Sequence, residues 1–201
     1  MEKLFDTIKF IIPPLATLLA GYIGVRYGLK QIKIEKHLEF IEKQLKEFYS
    51  PLLGRRKYIR AKSEFRFKVE TISGRQWKEN AEKGIQQSTE SVDNEIEYNN
   101  RQLNEEFLPM YREMLTIFKD NYWLAEPETR EFYNELVEYV EGWNRWKGKG
   151  VTAETMREIG HSEEKIIPFY EELEKRTDIL RSELSRKQSL WQKLWQKIIR
   201  N

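Results

Sequence analysis

Apolar positions along the chain fall into three successive patterns. Residues 10–25, FIIPPLATLLAGYIGV, form a run of sixteen without a charge, with Leu4, Phe5 and Ile8 before it and Tyr27 and Leu29 after it. From residue 34 the pattern becomes a narrow seam: Ile34, Leu38, Ile41, Leu45, Phe48 and Leu52 follow one another at alternating steps of four and three. That is heptad spacing, and it predicts a helix with one apolar edge between Glu and Lys flanks. Beyond it the stripes keep helical spacing: Tyr58, Lys62, Phe65, Val69 and Ile72; then Ile96, Leu103, Phe107, Met110, Met114, Ile117 and Phe118; then Phe132, Leu136, Val140 and Trp143; then Phe169, Leu173, Leu180 and Leu184. Alternation of Phe65, Phe67, Val69 and Thr71 also suits a strand, but no second strand-like run exists to pair with it, so helix is the reading.

Breaks in the pattern divide the helices. Pro51 lacks a backbone donor and restricts Ser50, which predicts an end or a bend there. Gly74 and the polar stretch 84–94 look like the turn between two hairpin arms, and Pro109 interrupts the stripe beyond it. Pro127 suits a first helical position, WKGKGV supplies a stop, Thr152 can cap a short helix closed by Gly160, and Ser162 can cap a longer one that runs past Pro168. The expected fold class is all-α: a single N-terminal transmembrane helix followed by an elongated antiparallel helical bundle or coiled coil. The expected divisions are an anchor at 1–29, a cytoplasmic bundle at 30–186, and a tail helix at 187–201.

The anchor rests on length. Residues 4–29 as a helix span roughly 39 Å at ~1.5 Å per residue, more than the ~30 Å of bilayer hydrocarbon. Asp6, Lys9 and Arg26 can reach headgroups, Tyr22 and Tyr27 suit the interface, and Pro13 with Pro14 predicts a kink. A cleavable leader fits less well, because MEKLFDTIK mixes acids with bases and no small-residue cleavage site follows. A buried core helix is the other alternative. Side chains before the run sum to zero charge, whereas Arg26, Lys30, Lys33 and Lys36 follow it opposed by Glu35, so the C-terminal side is expected in the cytoplasm of a cell whose inner membrane holds the anchor. Ala16, Ala20, Gly24 and Gly28 recur at every fourth place, a stripe that allows two membrane helices to approach closely and predicts a homo-oligomer; Ala and Gly are also common in any membrane helix. The seam 34–52 needs a partner too, either another copy or a later helix of the same chain.

Charge modifies this picture locally. The whole chain, 201 residues with 35 Lys and Arg against 33 Asp and Glu, carries only +2, so no global field attracts nucleic acid. Residues 55–68, RRKYIRAKSEFRFK, concentrate seven bases against one acid. Arg55, Arg56, Lys57 and Arg60 suit anionic headgroups, nucleic-acid phosphates, or the facing residues 90–141, which hold fourteen acids and four bases. Nucleic acid is the least favoured of the three. At the C-terminus Leu190, Trp191, Leu194, Trp195 and Ile198 share a helical face opposite Lys193 and Lys197, which suits either the headgroup plane or packing on the bundle.

Chemistry has few parts available. With no Cys and only His37 and His161, thiolate catalysis and cysteine-based metal sites are excluded. Glu158 and His161 match a Glu-x-x-His pair, but Gly160 is expected to end the helix between them and no second copy of the motif exists. Acidic stretches such as Glu126, Glu128, Glu131, Glu135 and Glu138 read as solvated faces. No phosphate-loop, dinucleotide or nucleophile-elbow motif occurs. No enzyme activity, cofactor or metal is expected.

The pieces KQLKEFYSPLL, ETREFYNELVEYVEGWNRW and GHSEEKIIPFYEELE resemble a loose group of short bacterial proteins with one N-terminal membrane helix and a helical cytoplasmic portion. The resemblance implies the anchor-plus-bundle layout and an inner-membrane location, and carries no catalytic or binding residue across. The expected function is a non-enzymatic scaffold that self-associates, contacts membrane lipid and presents its bundle to a cytoplasmic protein partner; the alternative is a membrane-perturbing effector of toxin or defence type, acting through the span and the tail.

Overall fold

The computed structural model describes the backbone of residues 2–86 and 88–199, and the side chains of residues 17–86 and 88–186. It is all-helical, with no strand among the described residues. Among the described residues eight α-helices follow in order: α1 (Glu2–Gln44), α2 (Ser50–Glu82), α3 (Glu90–Gln102), α4 (Leu108–Asp120), α5 (Pro127–Arg130), α6 (Tyr133–Lys147), α7 (Ala153–Glu158) and α8 (Ile167–Ile199). Residues 1–42 and 43–201 form separate compact units.

Within the first unit the side chains from Leu18 to Ile32 are exposed, and Ile34 and Leu38 are half-buried. Among the described residues no helix is long and apolar enough to cross a membrane. The expected span, 4–29, is thereby not recovered among them: its residues 4–16, Ala16 included, lie outside the described side chains, and those that remain hold only the second part of the uncharged run.

The second unit is a bundle of α2, α4, α6 and α8, in which α4 packs on α2 and α6 while α8 packs on α2. Its core is aromatic. Phe118 of α4 is fully buried, with the rings of Phe48, Tyr133 and Phe169 at 5.1, 5.2 and 5.7 Å. Leu45, Phe48 and Leu52 of the seam are buried in this unit, as are Leu53, Met114, Leu136 and Leu173.

Two prolines expected to end, bend or interrupt helices do none of these abruptly. Each is preceded by one turn of π-helix: Leu45–Tyr49 before Pro51 and Leu103–Phe107 before Pro109. A proline ring collides with the carbonyl four residues earlier, and those carbonyls, of Glu47 and Glu105, lie inside the π turns. The wider turn moves them aside, and the helical backbone continues through both sites. Gly74 is likewise inside α2, so the hairpin turn comes later, where Gly84 takes φ +68°. The cap expected of Thr152 is present, its Oγ1 accepting from Thr155 N–H at 3.2 Å, and Gly160 closes α7 with φ +61°. Ser162 makes no side-chain cap; it precedes a 3-10 turn, Glu163–Ile166, and α8 starts only at Ile167.

Buried polar groups tie the first π turn to the segment before α6. Gln44 Nε2 donates to the Leu124 carbonyl and to Glu126 Oε1, both at 2.8 Å. Tyr49 Oη accepts from Glu126 N–H at 2.9 Å and lies 3.0 Å from Thr129 Oγ1. Thr129 reaches Glu172, which pairs with Arg176 at 3.0 Å, and Arg176 pairs with Glu128 at 2.9 Å. Gln44, Leu45, Phe48, Tyr49 and Leu52 of the KQLKEFYSPLL block are all buried, so this block is core and latch together.

Candidate functional site

Among the described residues, the segment expected to contact lipid and to pair leaves its apolar side chains uncovered. Leu18 is 72% exposed, Tyr27 71% and Ile32 54%, with Leu19, Tyr22, Ile23, Val25 and Leu29 between 54% and 64%. These residues lie on every side of a helix, since successive positions turn by about 100°. Of the small-residue stripe, Gly24 and Gly28 have open space where a Cβ would stand, so none of the described residues requires them to be glycine for packing. Ala20 is exposed as well. Arg26 bends back over the Tyr22 ring at 5.9 Å.

The basic segment is divided by the fold. Arg56 is turned inward: its guanidinium lies 3.9 Å over the face of Tyr170 and pairs with Glu163. Arg55 pairs with Glu113 of α4 at 2.8 Å and Lys62 with Glu106 of the second π turn at 3.1 Å, so α2 meets part of the acidic region as charge complementarity suggested. Lys57 and Arg60 remain on the outside, Arg60 beside Glu64 on its own helix. Exposed pairs of this kind add only ~0–1 kcal/mol each, so they fix register while the apolar core holds the helices together. Trp191, Lys193, Trp195 and Lys197 lie outside the described side chains.

A cleft that sequence reasoning missed opens where α2, α4, α6 and α7 meet. It encloses about 440 Å³ between Ile59, Phe107, Tyr111, Tyr139, Trp143 and Met156, with Arg66, His161 and Glu163 among its polar residues. His161 is its structural pin. Its ring stacks on Tyr139 at 4.9 Å and 4°, meets Trp143 edge-on at 5.4 Å, and approaches the Tyr139 carbonyl through Nε2 at 2.8 Å. A carbonyl only accepts, so in this contact Nε2 carries the hydrogen and donates it. Gly142 makes room for it: a Cβ there would stand 2.3 Å from His161 Cδ2. Arg66 Nε lies 3.5 Å from Glu70 Oε1 on its own helix. Phe107 and Trp143 belong to helical stripes read from the sequence, whereas Tyr111, Tyr139 and His161 belong to none of them, and only the fold brings these three together.

Burial pushes the hydroxyls of Tyr111, Tyr139 and Tyr170 up from the ordinary tyrosine range, and each also feels its neighbours in the group. A raised pKa keeps these side chains neutral in the bundle at a pH where an unfolded chain, titrating near 10, has begun to ionise. Their contribution to stability is therefore complete below about pH 10 and is lost as the pH climbs through the folded values. Urea midpoints measured at about pH 9 and about pH 11 should fall with pH, and Tyr111→Phe should flatten that decline. An identical decline in the variant would remove the assignment.

Among the described residues no three His, Cys, Asp or Glu side chains are grouped to hold a metal ion. Glu158 ends α7 and His161 lies beyond the left-handed Gly160, so the two do not project from one helix. Comparison with protein-family models, curated proteins and solved structures gives no match.

Proposed function

We propose that this chain is a non-enzymatic, membrane-anchored helical module of a bacterial inner membrane, paired through its N-terminal segment and presenting its C-terminal bundle to a protein partner on the cytoplasmic side. The observation that carries this reading is the exposure of every large apolar side chain from Leu18 to Ile32. In water such a surface would cost on the order of 25 cal/mol per Å² of apolar area, whereas hydrocarbon removes that cost without requiring a protein neighbour. Residues 4–29 supply the length, with the uncharged run 10–25 at their centre, and the basic residues after that run supply the sidedness. Open space around Gly24 and Gly28 supports pairing, because close approach of a second helix is the use such a stripe has in lipid.

Two measurements test it. Full-length protein should stay with membranes through an alkaline carbonate wash and leave them only in detergent; release by the wash would overturn the anchor. In a membrane-helix association reporter, Gly24→Ile with Gly28→Ile should lower the signal several-fold, because the new side chains hold the two backbones apart. An unchanged signal would overturn the pairing.

A further inference from the structure

Residues 60–101, the outer parts of α2 and α3 with the turn between them, contain no buried residue among those described. This stretch is nevertheless helical almost throughout, and it carries large apolar side chains in the open: Phe65 is 68% exposed, Phe67 70%, Ile72 48%, Ile96 54% and Tyr98 50%. Fixing a residue's backbone costs about 1–2 kcal/mol, and short helices in water do not meet that cost without an apolar face to bury. Between the arms the described side chains leave open space. Asn99 donates to Glu70 at 3.2 Å, and a groove of about 550 Å³ separates the helices around Gly74, Trp77 and Val92.

Charge identifies what covers the hairpin. On α2, residues 60–82 carry six bases and four acids; on α3, Glu90–Gln102 carries four acids and one base. One arm is positive and the other negative, and a two-fold rotation along the hairpin brings each arm of one copy beside the opposite arm of the next. Such self-complementarity is what an isologous interface requires. A foreign helix would have to match both signs at once.

We propose that the α2–α3 hairpin is a dimerisation element, docking on the same hairpin of a second copy of this chain so that α2 of each packs against α3 of the other. Four alternating antiparallel helices result, with Phe65, Val69, Ile72 and Tyr98 withdrawn from water. This surface is distinct from the N-terminal segment and does not depend on a membrane anchor.

Charge exchange tests it in full-length protein. One form carries Glu90→Lys, Asp93→Lys and Glu97→Lys, making both arms positive; the other carries Lys68→Glu, Arg75→Glu and Lys78→Glu, making both negative. All six positions are exposed, so neither form disturbs the bundle core. Gly24→Ile and Gly28→Ile are added to both, which silences pairing through the N-terminal segment. Each form alone should dimerise about tenfold more weakly or worse, given up to ~1 kcal/mol for each exposed charge contact, and the two mixed should recover a heterodimer. Recovery should weaken as salt is raised. Phe65→Glu with Ile72→Glu should abolish the dimer while leaving helix content unchanged. Dimers indifferent to charge reversal, a monomer throughout, or a different protein held stoichiometrically on the hairpin would each overturn the proposal. Carbonate extraction reads the anchor separately, so loss of one reading is not confused with loss of the other.

Discussion

Phe118→Ala is expected to lower the stability of the bundle by about 3–5 kcal/mol, a large part of the ~5–15 kcal/mol that holds a typical domain folded. Phe118 has no exposed surface, and the rings around it come from separate elements: Phe48 from the first π turn, Tyr133 from α6 and Phe169 from α8. Truncation therefore removes the ring on which these elements converge. Because each neighbouring ring is fixed by its own helix, the cavity cannot close cheaply, which places the cost toward the upper part of the range. Phe118→Leu keeps much of the volume and should cost less than half as much. Ile159→Ala, at a position 53% exposed, should stay within about 0.5 kcal/mol of the parent. Chemical denaturation of the full-length protein in mild detergent, followed by circular dichroism, gives all three values. A Phe118→Ala midpoint no lower than that of Ile159→Ala would mean that the aromatic core is wrongly placed.

Much of this fold is legible in sequence because helices announce themselves locally. Apolar residues repeat at short range, Thr152 accepts from a backbone three residues away, and Gly160 adopts a left-handed angle that few other residues take. The prolines show where local reasoning stops. Pro51 and Pro109 break an isolated helix, yet here each follows a π turn whose residues, Phe48 and Tyr49 in one case and Phe107 in the other, are held by tertiary burial. Gly142 is similar: in sequence it is a weak residue inside α6, and only the His161 ring, arriving from beyond α7, gives its missing side chain a purpose. Arg56 belonged to a basic run that suited a lipid surface, but its partners Tyr170 and Glu163 are more than a hundred residues away. Charge runs specify sign; they do not specify which members turn inward.

Arg176→Met should cost about 3 kcal/mol, although the residue is a charge and not part of the apolar core. Arg176 bridges two carboxylates, Glu172 at 3.0 Å and Glu128 at 2.9 Å, and the Glu172 side chain is only 9% exposed against 61% for Glu128. Removing the guanidinium leaves Glu128 in water, where it loses little. Glu172 stays buried with the Thr129 hydroxyl at 3.5 Å and the exposed Lys175 amine at 3.6 Å, neither a substitute for a guanidinium at hydrogen-bond distance. The stability lost is therefore mainly the cost of a stranded carboxylate, and the cure should lie with the partner: adding Glu172→Gln to Arg176→Met should return most of the loss, although it restores no ion pair. A double-mutant cycle reads this as a coupling of about 1–3 kcal/mol between the two positions. Additive losses would show instead that Arg176 acts through its aliphatic stem, and that the chain of groups from Tyr49 to Arg176 is a row of independent contacts.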